Sequence, residues 1–159
     1  PLFFSSSGGQ TENSEDVFVS AVPYLVSVSS PYEEKATHRN EQKTFTFSET
    51  RKLLQKSFPK KDFCKLTRKN VKILSRTAGG RVAEMQVGTQ VLKGTQVRSA
   101  LGLSSALFSI SFEGSSIVFT SSGSGHGVGM SQYGANGMAR KGADYREILR
   151  HYYAGTVVA

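Results

Sequence analysis

The clearest alternation of apolar and polar residues lies near the middle of the second half of the chain. Phe108, Ile110 and Phe112 are separated by single polar residues, and a second apolar run follows after Gly114. Side chains of a strand point alternately to its two faces, so this pattern predicts two strands joined by a tight turn. It is the best β-hairpin signal in the sequence.

Weaker strand patterns occur at four other places. Residues 2–5 predict a short strand, residues 44–47 alternate, and residues 71–91 predict two strands around a pair of glycines. Residues 17–28 also alternate in part. Pro23 argues against a central strand there, because proline has no backbone N–H to donate to a neighbouring strand.

Three polar residues stand where helices are predicted to begin. Ser48 is the expected N-cap of a helix that ends before a proline, and Thr95 of a shorter helix that ends at a glycine. Asp144 is followed three residues later by Glu147, which is the spacing of a capping box. A further helix is predicted over residues 130–141.

These strands and helices are interspersed without the regular alternation of a parallel α/β fold. The 159 residues, 38% of them hydrophobic, fit one domain with a modest core. The polar residues 31–43 and the basic residues 60–72 are predicted to be exposed. The sequence therefore predicts a single α+β domain of mixed, mainly antiparallel strands and a few short helices.

The formal net charge of +8 indicates an anionic neighbour. Nucleic acid, anionic membrane lipid and the acidic polymers of a bacterial wall are all neighbours of this kind. The alternative is a basic surface that only maintains solubility. No motif that reads nucleic-acid bases is present, so nucleic acid is not predicted as a partner.

Cys64 is the only cysteine, which excludes a disulfide within the chain. Together with His38, His126 and His151 it does not have the spacing of a zinc site. Cys64 is interpreted as an ordinary buried or tolerated cysteine, and a reactive thiolate, which the neighbouring lysines would favour, is the minor alternative. The prediction is that the chain holds no metal and no cofactor.

A glycine-rich loop over residues 121–130 precedes the predicted helix 130–141. Strand, glycine loop and helix together can form a phosphate site, but the third glycine of G-x-G-x-x-G and the lysine of the phosphate-loop motif are both missing. Nucleotide binding is therefore not predicted.

The chemistry around this loop suits a carbohydrate. His126 is flanked by glycines, which let a ligand approach the backbone closely, and Ser131, Gln132 and Tyr133 add a hydroxyl, an amide and an aromatic face. The alternative is that His126 is a structural histidine and that the glycines serve tight packing. From these residues alone, a carbohydrate site is possible and not specified further.

Four motifs, in order along the chain, give a more specific indication. They are F-F-S-S-S-G-G-Q-T-E-N at residues 3–13, A-V-P-Y-L at 21–25, G-H-G-V-G-M-S-Q-Y-G-A from 125, and D-Y-x-x-I-L-x-x-Y-Y-x-G at 144–155. Together they resemble the C-terminal part of the stage II sporulation protein D family, which includes modifier proteins of wall amidases. The resemblance is weakest over residues 31–72.

The resemblance implies a peptidoglycan lytic transglycosylase, which cleaves the bond between N-acetylmuramic acid and N-acetylglucosamine and leaves 1,6-anhydro ends. In this family the sporulation members act on glycan strands that a partner amidase has stripped of peptides during engulfment. The reaction needs one carboxyl group that acts first as an acid and then as a base. The resemblance also implies an extracytoplasmic location.

The segment that carries the family's catalytic glutamate, P-x-E-A-L-K-A-Q-A-V-A-A-R, has no counterpart in residues 1–159. The chain is therefore predicted to contain no catalytic residue, to be the C-terminal part of the enzyme, and to be inactive without an N-terminal companion segment. A non-catalytic wall-binding or amidase-enhancing module is the alternative function.

Glu12 is the only carboxylate inside the first three motifs, and we expect it to bind amides of the Ser-Gly turn or to line the groove. The residues predicted to contact glycan share a place in a motif and a polar or aromatic side chain. They are Ser7, Thr11, Glu12, His126, Ser131, Gln132 and Tyr133.

Overall fold

A computed structural model describes all residues from 1 to 159 and contains eight short strands and five helices. The strands are β1 (Phe3–Phe4), β2 (Glu41–Thr46), β3 (Val71–Arg76), β4 (Val82–Val87), β5 (Gln90–Lys93), β6 (Phe108–Glu113), β7 (Ser116–Ser121) and β8 (Met130–Ser131). The helices are α1 (Ser14–Val17), α2 (Phe47–Ser57), α3 (Gly94–Leu101), α4 (Gln132–Arg140) and α5 (Tyr145–Tyr152).

The strands form two antiparallel sheets and one short parallel pair. The predicted hairpin is β6 and β7, with Phe108 opposite Ser121, and β2 pairs with the other edge of β7. Strands β3, β4 and β5 form the second antiparallel sheet, and β1 pairs with β8 in parallel. The predicted α+β class with mainly antiparallel strands is confirmed.

The larger of two hydrophobic clusters contains 14 buried residues from both antiparallel sheets, α2 and α3. Its aromatic centre is Phe119, whose ring packs edge-on against the rings of Phe108 and Phe45. Complete burial of one such side chain contributes roughly 1.5–3 kcal/mol, so this cluster provides most of the apolar stabilisation. A smaller cluster of five residues joins the glycine loop to α5.

The polar and proline-containing segments differ from their predictions. Residues 17–28 form no strand: α1 ends at Val17, and Leu25 alone in the stretch is fully buried. Their backbone groups bond to the first motif instead, as when Thr11 donates its N–H to the carbonyl of Val28, 2.9 Å away. Pro23 is consistent with this irregular path.

The basic stretch 60–72 is only partly exposed, which corrects the expectation of an exposed loop. Its charged side chains are at the surface, but Phe63 and Leu66 are buried in the larger cluster at 0% and 3% exposure. Cys64 between them is half-buried, and the side-chain amide of Asn70 lies 3.8 Å from its sulfur. The two buried side chains therefore attach the stretch to the core.

Two predicted helix starts each move two residues towards the N-terminus. The N-cap of α2 is Thr46 rather than Ser48, because the Thr46 hydroxyl accepts the Glu49 N–H while the Glu49 carboxylate accepts the Thr46 N–H. Helix α3 begins at Gly94, before Thr95.

Other helix predictions hold more closely. The capping box of Asp144 and Glu147 is present at the start of α5. Residues 130 and 131 belong to β8, and Ser131 caps α4 by accepting the N–H of Gly134. None of the five helices has the length and apolar character needed to cross a membrane.

Candidate functional site

The first motif and the glycine loop, more than a hundred residues apart in sequence, run side by side. Strand β1 pairs with β8, and Ser6 and Ser124 exchange backbone hydrogen bonds of 3.2 and 2.8 Å. Further along, the N–H of Glu12 donates to the carbonyl of Gly127 at 2.8 Å. The structure therefore brings together the segments that carry all seven predicted contact residues.

The glycines of the loop are needed because the chain's own atoms occupy the space beside them. Gly127 and Gly129 both have φ near +86°, at +87° and +85°. A Cβ at Gly127 would lie 2.5 Å from the Arg81 guanidinium carbon, and one at Gly129 would lie 2.2 Å from the Leu2 carbonyl oxygen. The alternative explanation for the glycines, tight packing, therefore accounts for these two positions.

Glu12 and Arg81 form a buried ion pair directly under this loop. Glu12 is 0% exposed and Arg81 2%, and a guanidinium nitrogen lies 3.6 Å from Glu12 Oε1. The Thr77 hydroxyl donates to the same oxygen at 2.8 Å, and a Cβ on Gly79 would lie 1.7 Å from it. No glycan could reach this carboxylate without rearrangement of the loop.

Arg81 also fixes the turn of the first motif. Its two terminal nitrogens donate to the carbonyls of Gln10 and Ser7, at 3.0 and 3.1 Å. Burial raises the pKa of Glu12, an effect that Thr77 and Arg81 oppose, and burial lowers the pKa of Arg81. The expectation that Glu12 binds amides of the Ser-Gly turn is wrong. Glu12 instead forms an ion pair with Arg81, whose guanidinium binds the carbonyls of this turn.

The amides of that turn bind a different carboxylate, Glu33. Its oxygens accept the N–H groups of Ser7 and Gly8 at 3.1 Å and the hydroxyls of Ser7 and Ser30 at 3.0 and 2.9 Å. The hydroxyl of Ser131 also donates to it, through a short hydrogen bond. Five donors from three separate segments therefore converge on one side chain.

Glu33 was not among the residues predicted from sequence. It lies in a polar stretch that was predicted to be an exposed loop, next to another glutamate at position 34, and no periodicity or motif distinguishes it. Its partners come from positions 26 residues earlier and 98 residues later in the chain. No local signal can reveal contacts of that range.

His126 packs between two aromatic rings at the edge of the small cluster. The rings of Phe4 and Phe18 are each centred 5.6 Å from the imidazole, and Nδ1 accepts the Val128 N–H at 3.0 Å. Burial lowers the pKa of His126 below its usual 6.5, and the positive charges of Arg98 and Arg81 act in the same direction. Burial therefore favours the neutral imidazole, while a backbone hydrogen bond at Phe3 acts on the pKa in the opposite direction.

This arrangement predicts a dependence of stability on pH. Because the folded-state pKa of His126 is depressed, its contribution is fully present above about 6.5 and is lost as the pH falls through the folded-state value. We expect His126→Asn, which can still accept the Val128 N–H, to flatten the decline of unfolding free energy below pH 6.5. Denaturant unfolding at several pH values measures this effect.

His151→Gln is the matched control, because this histidine lies on α5 and contacts the Ser29 carbonyl, whereas His126 lies in the glycine loop. It should leave the acid dependence attributed to His126 in place. An unchanged pH profile in His126→Asn would show that another group causes the decline.

The remaining predicted contact residues lie in contrasting environments. Thr11 is buried, and its hydroxyl accepts the Val28 N–H at 2.8 Å. Ser7 and Ser131 are buried on Glu33, whereas Gln132 is exposed and Tyr133 half-exposed. The roles of all seven residues in glycan contact stay predictions, and the two exposed ones need no rearrangement to reach a ligand.

Two open cavities share Tyr32 as a lining residue. One, of about 300 Å³, has Glu33, Arg39 and Asn40 in its lining, and the other, of about 250 Å³, includes Tyr133. Tyr32 and Glu34 line both cavities. A tyrosine shared by two cavities that also contain charged and amide side chains offers both the apolar platform and the hydrogen-bond partners that a sugar requires.

Tyr32 is held in an uncommon backbone conformation, with φ of +66°. Its backbone packs tightly against α4, where a Cβ on Gly137 would lie 2.1 Å from the Tyr32 carbonyl oxygen. Its ring is 44% exposed and lies 5.6 Å from the Lys141 ammonium. A non-glycine residue at positive φ persists only where its surroundings enforce it, and such residues are concentrated at functional sites.

Comparison with known proteins agrees with the motifs. The sequence matches the family described as "Domain of unknown function (DUF8618)" over residues 20–129. It is similar to stage II sporulation protein D of Bacillus subtilis, with 43% identity, and of Bacillus amyloliquefaciens, with 41%. Each match covers 99% of this chain and 44% of the relative, so the chain spans less than half of these proteins.

A weaker similarity extends to the amidase enhancer of Bacillus subtilis. It is 31% identical over 91 residues, which are 55% of this chain and 13% of that protein. The resemblance to stage II sporulation protein D that the motifs predicted is confirmed.

Proposed function

This chain belongs to the family of the domain of unknown function DUF8618, and we propose that it is the glycan-binding part of a peptidoglycan lytic transglycosylase. The observation that carries the proposal is the 43% identity to stage II sporulation protein D along 99% of the chain. The names of the relatives support a role in sporulation and the cell wall. The intact enzyme would cleave glycan strands to 1,6-anhydro ends in an extracytoplasmic compartment.

The catalytic acid of this reaction would come from a companion segment outside residues 1–159. A transglycosylase acid must reach the glycosidic oxygen and exchange a proton with it. Glu12 is fully buried against Arg81, and Glu33 is occupied by five hydrogen-bond donors. Both carboxylates are therefore better suited to holding the loops than to transferring a proton.

The glycan strand would lie across Tyr32, with sugar units in the two neighbouring cavities. The exposed ring can stack on the apolar face of a pyranose, while Arg39 and Asn40 offer donors and an acceptor to its hydroxyl groups. On the other side, Tyr133 and Asn136 line the second cavity. Glu33 would act by positioning the loop that carries Tyr32.

Removing the ring should weaken glycan binding without unfolding the chain. We expect Tyr32→Ala to lower affinity for peptide-free glycan strands by about threefold to tenfold, the equivalent of one aromatic contact of about 0.5–1.5 kcal/mol. Isothermal titration calorimetry with purified strands measures it. Tyr145→Ala is the matched control, since Tyr145 is 58% exposed on α5 and lines neither cavity.

Equal affinities of Tyr32→Ala and the wild type would place the glycan elsewhere. A loss of the same size in Tyr145→Ala would mean that the effect is not specific to the cavities. The motif residues provide a second test, because unchanged glycan cleavage by the longer protein carrying His126→Ala and Tyr133→Phe would remove both from the list of functional residues.

The reaction itself tests whether the catalytic acid lies in residues 1–159 or in the companion segment. Incubation of residues 1–159 with peptide-free strands should yield no 1,6-anhydro ends by mass spectrometry. Addition of the catalytic segment from a longer relative should restore them. Anhydro ends from this chain alone would mean that the acid lies within it.

A second candidate function is a non-catalytic module that binds the wall and stimulates an amidase. It is favoured by the similarity to the amidase enhancer of Bacillus subtilis. Faster peptide release by a purified wall amidase in the presence of this chain, with no anhydro ends in any combination, would support this function over the first.

A further inference from the structure

The entire net charge of the protein originates from one short stretch, residues 51–72. This stretch contains nine basic residues and one acidic residue, Asp62, while the rest of the chain carries eleven of each sign. The basic residues are Arg51, Lys52, Lys56, Lys60, Lys61, Lys65, Arg68, Lys69 and Lys72. We call the surface formed by these nine side chains the basic face.

The fold presents these charges to solvent and leaves them without ionic partners. Eight of the nine are exposed and Lys61 is half-buried. The ion pairs of the molecule join Glu41 to His38 and Glu12 to Arg81, so no carboxylate neutralises the basic face. Concentrated like charge of this kind attracts a polyanion and raises its rate of association.

The basic face is part of the folded domain and not a flexible tail. Leu54 on α2, Phe63 and Leu66 in the following segment, and Val71 at the start of β3 are all buried in the larger hydrophobic cluster. The apolar side of the stretch is therefore fixed on the core, and its charged side is held outward in a defined arrangement.

A cavity of about 500 Å³ opens within this surface, at the beginning of α2. Its lining combines two cationic side chains and three hydroxyl groups with two apolar side chains: Arg51, Lys65, Thr46, Ser48, Ser115, Phe47 and Leu66. The hydroxyls of Ser48 and Ser115 make no hydrogen bond within the chain, so both are available to a ligand.

Two arginines of the basic face, Arg51 in the cavity lining and Arg68 outside it, are held in place through contacts that leave nitrogens free. Arg51 donates from Nε to the Phe63 carbonyl at 2.6 Å, so its two terminal nitrogens remain available. Arg68 donates one nitrogen to the Gly114 carbonyl at 3.2 Å, and its guanidinium carbon lies 5.9 Å from the centre of the Phe112 ring. Guanidinium groups fixed in this way are suited to phosphate recognition.

We propose that the basic face binds a linear polymer of polyol units joined by phosphodiesters, with one repeat in the cavity. The cations would pair with successive phosphates, while the free hydroxyls in the cavity would bond the polyol. The inference is independent of the glycan site at Tyr32, whose cavities share no lining residue with this one.

Two other polyanions fit the surface less well. Residues 51–72 contribute no exposed large apolar side chain, so they offer nothing to insert below the headgroups of a membrane. They also offer no exposed aromatic ring, whereas proteins that bind single-stranded nucleic acid stack the bases on such rings. A polymer of phosphates and hydroxyls without bases needs neither feature.

The test measures binding of a defined poly(glycerol phosphate) oligomer to residues 1–159 over a series of NaCl concentrations. We expect R51Q/K65Q/R68Q to weaken binding by about tenfold or more and to reduce the slope of log K against log salt by about 2, since each neutralised phosphate contributes about 0.7. The matched control R140Q/R146Q/R150Q removes three exposed charges from α4 and α5 and should retain most of the affinity.

Three results would overturn the proposal. An equal loss in both triple variants would show that only total charge matters. Tighter binding to an oligothymidylate with the same number of phosphates would indicate nucleic acid, and binding to phosphatidylglycerol vesicles without binding to the oligomer would indicate a membrane surface. Thermal unfolding of each variant establishes that all are folded. Unaltered glycan binding by R51Q/K65Q/R68Q shows that the basic face is a separate site from the glycan site at Tyr32.

Discussion

Replacing Glu12 by alanine is expected to lower the free energy of unfolding by about 3–5 kcal/mol. The substitution leaves the Arg81 guanidinium buried at 2% exposure with no carboxylate beside it. Arg81 in turn holds the carbonyls of Ser7 and Gln10, so the first motif should also loosen against the glycine loop. Denaturant unfolding followed by circular dichroism measures the loss.

Two control variants separate the charge effect from the loss of packing. The double variant Glu12→Leu, Arg81→Met removes both charges and should recover much of the stability, because no unpaired charge is left in the interior. Glu84→Ala removes an exposed carboxylate from β4 and should change stability little. A Glu12→Ala protein as stable as Glu84→Ala would show that the buried pair is not the source of stability.

Replacing Glu33 by glutamine should cost about 2–3 kcal/mol of unfolding free energy and should also weaken glycan binding. A carboxylate accepts at both oxygens, and the five groups that contact Glu33 are all donors. Glutamine has one acceptor oxygen and presents an NH₂ group to the remaining donors, so several of them lose a partner. Unfolding and calorimetric titration with glycan strands measure the two effects.

The neighbouring Glu34→Gln is a close control. It changes the same chemical group one residue further on, but the Glu34 side chain is exposed and makes no hydrogen bond. It should therefore leave stability unchanged. If Glu33→Gln kept full stability but lost glycan binding, Glu33 would contact the sugar directly, and a positioning role would be contradicted.

The two glutamates explain why the motifs contain so many small polar residues. The motif residues Ser7 and Ser131 bind Glu33, and Thr77, outside the motifs, binds Glu12, so these hydroxyls hold one segment against another. These contacts leave the loop around Tyr32 at the surface. Under the proposed function, the motif residues therefore support the site, and the groups that contact the glycan come from a less distinctive segment.

Features that depend on neighbouring residues could be predicted from the sequence. The hairpin of β6 and β7 and the capping box of Asp144 and Glu147 are present where the pattern placed them. Each results from interactions within a few residues, so the local sequence contains all the necessary information. The family resemblance was also available, since it depends on residues in order along the chain.

Only the tertiary structure decided which residues meet. It placed Phe63 and Leu66 in the core although basic residues surround them, because two apolar side chains can be buried while the charged ones remain in water. It also revealed Glu33, whose five donors come from segments far apart in the chain. A carboxylate in a polar loop has no distinguishing pattern until the fold brings its partners to it, and this long-range convergence is what the sequence by itself does not contain.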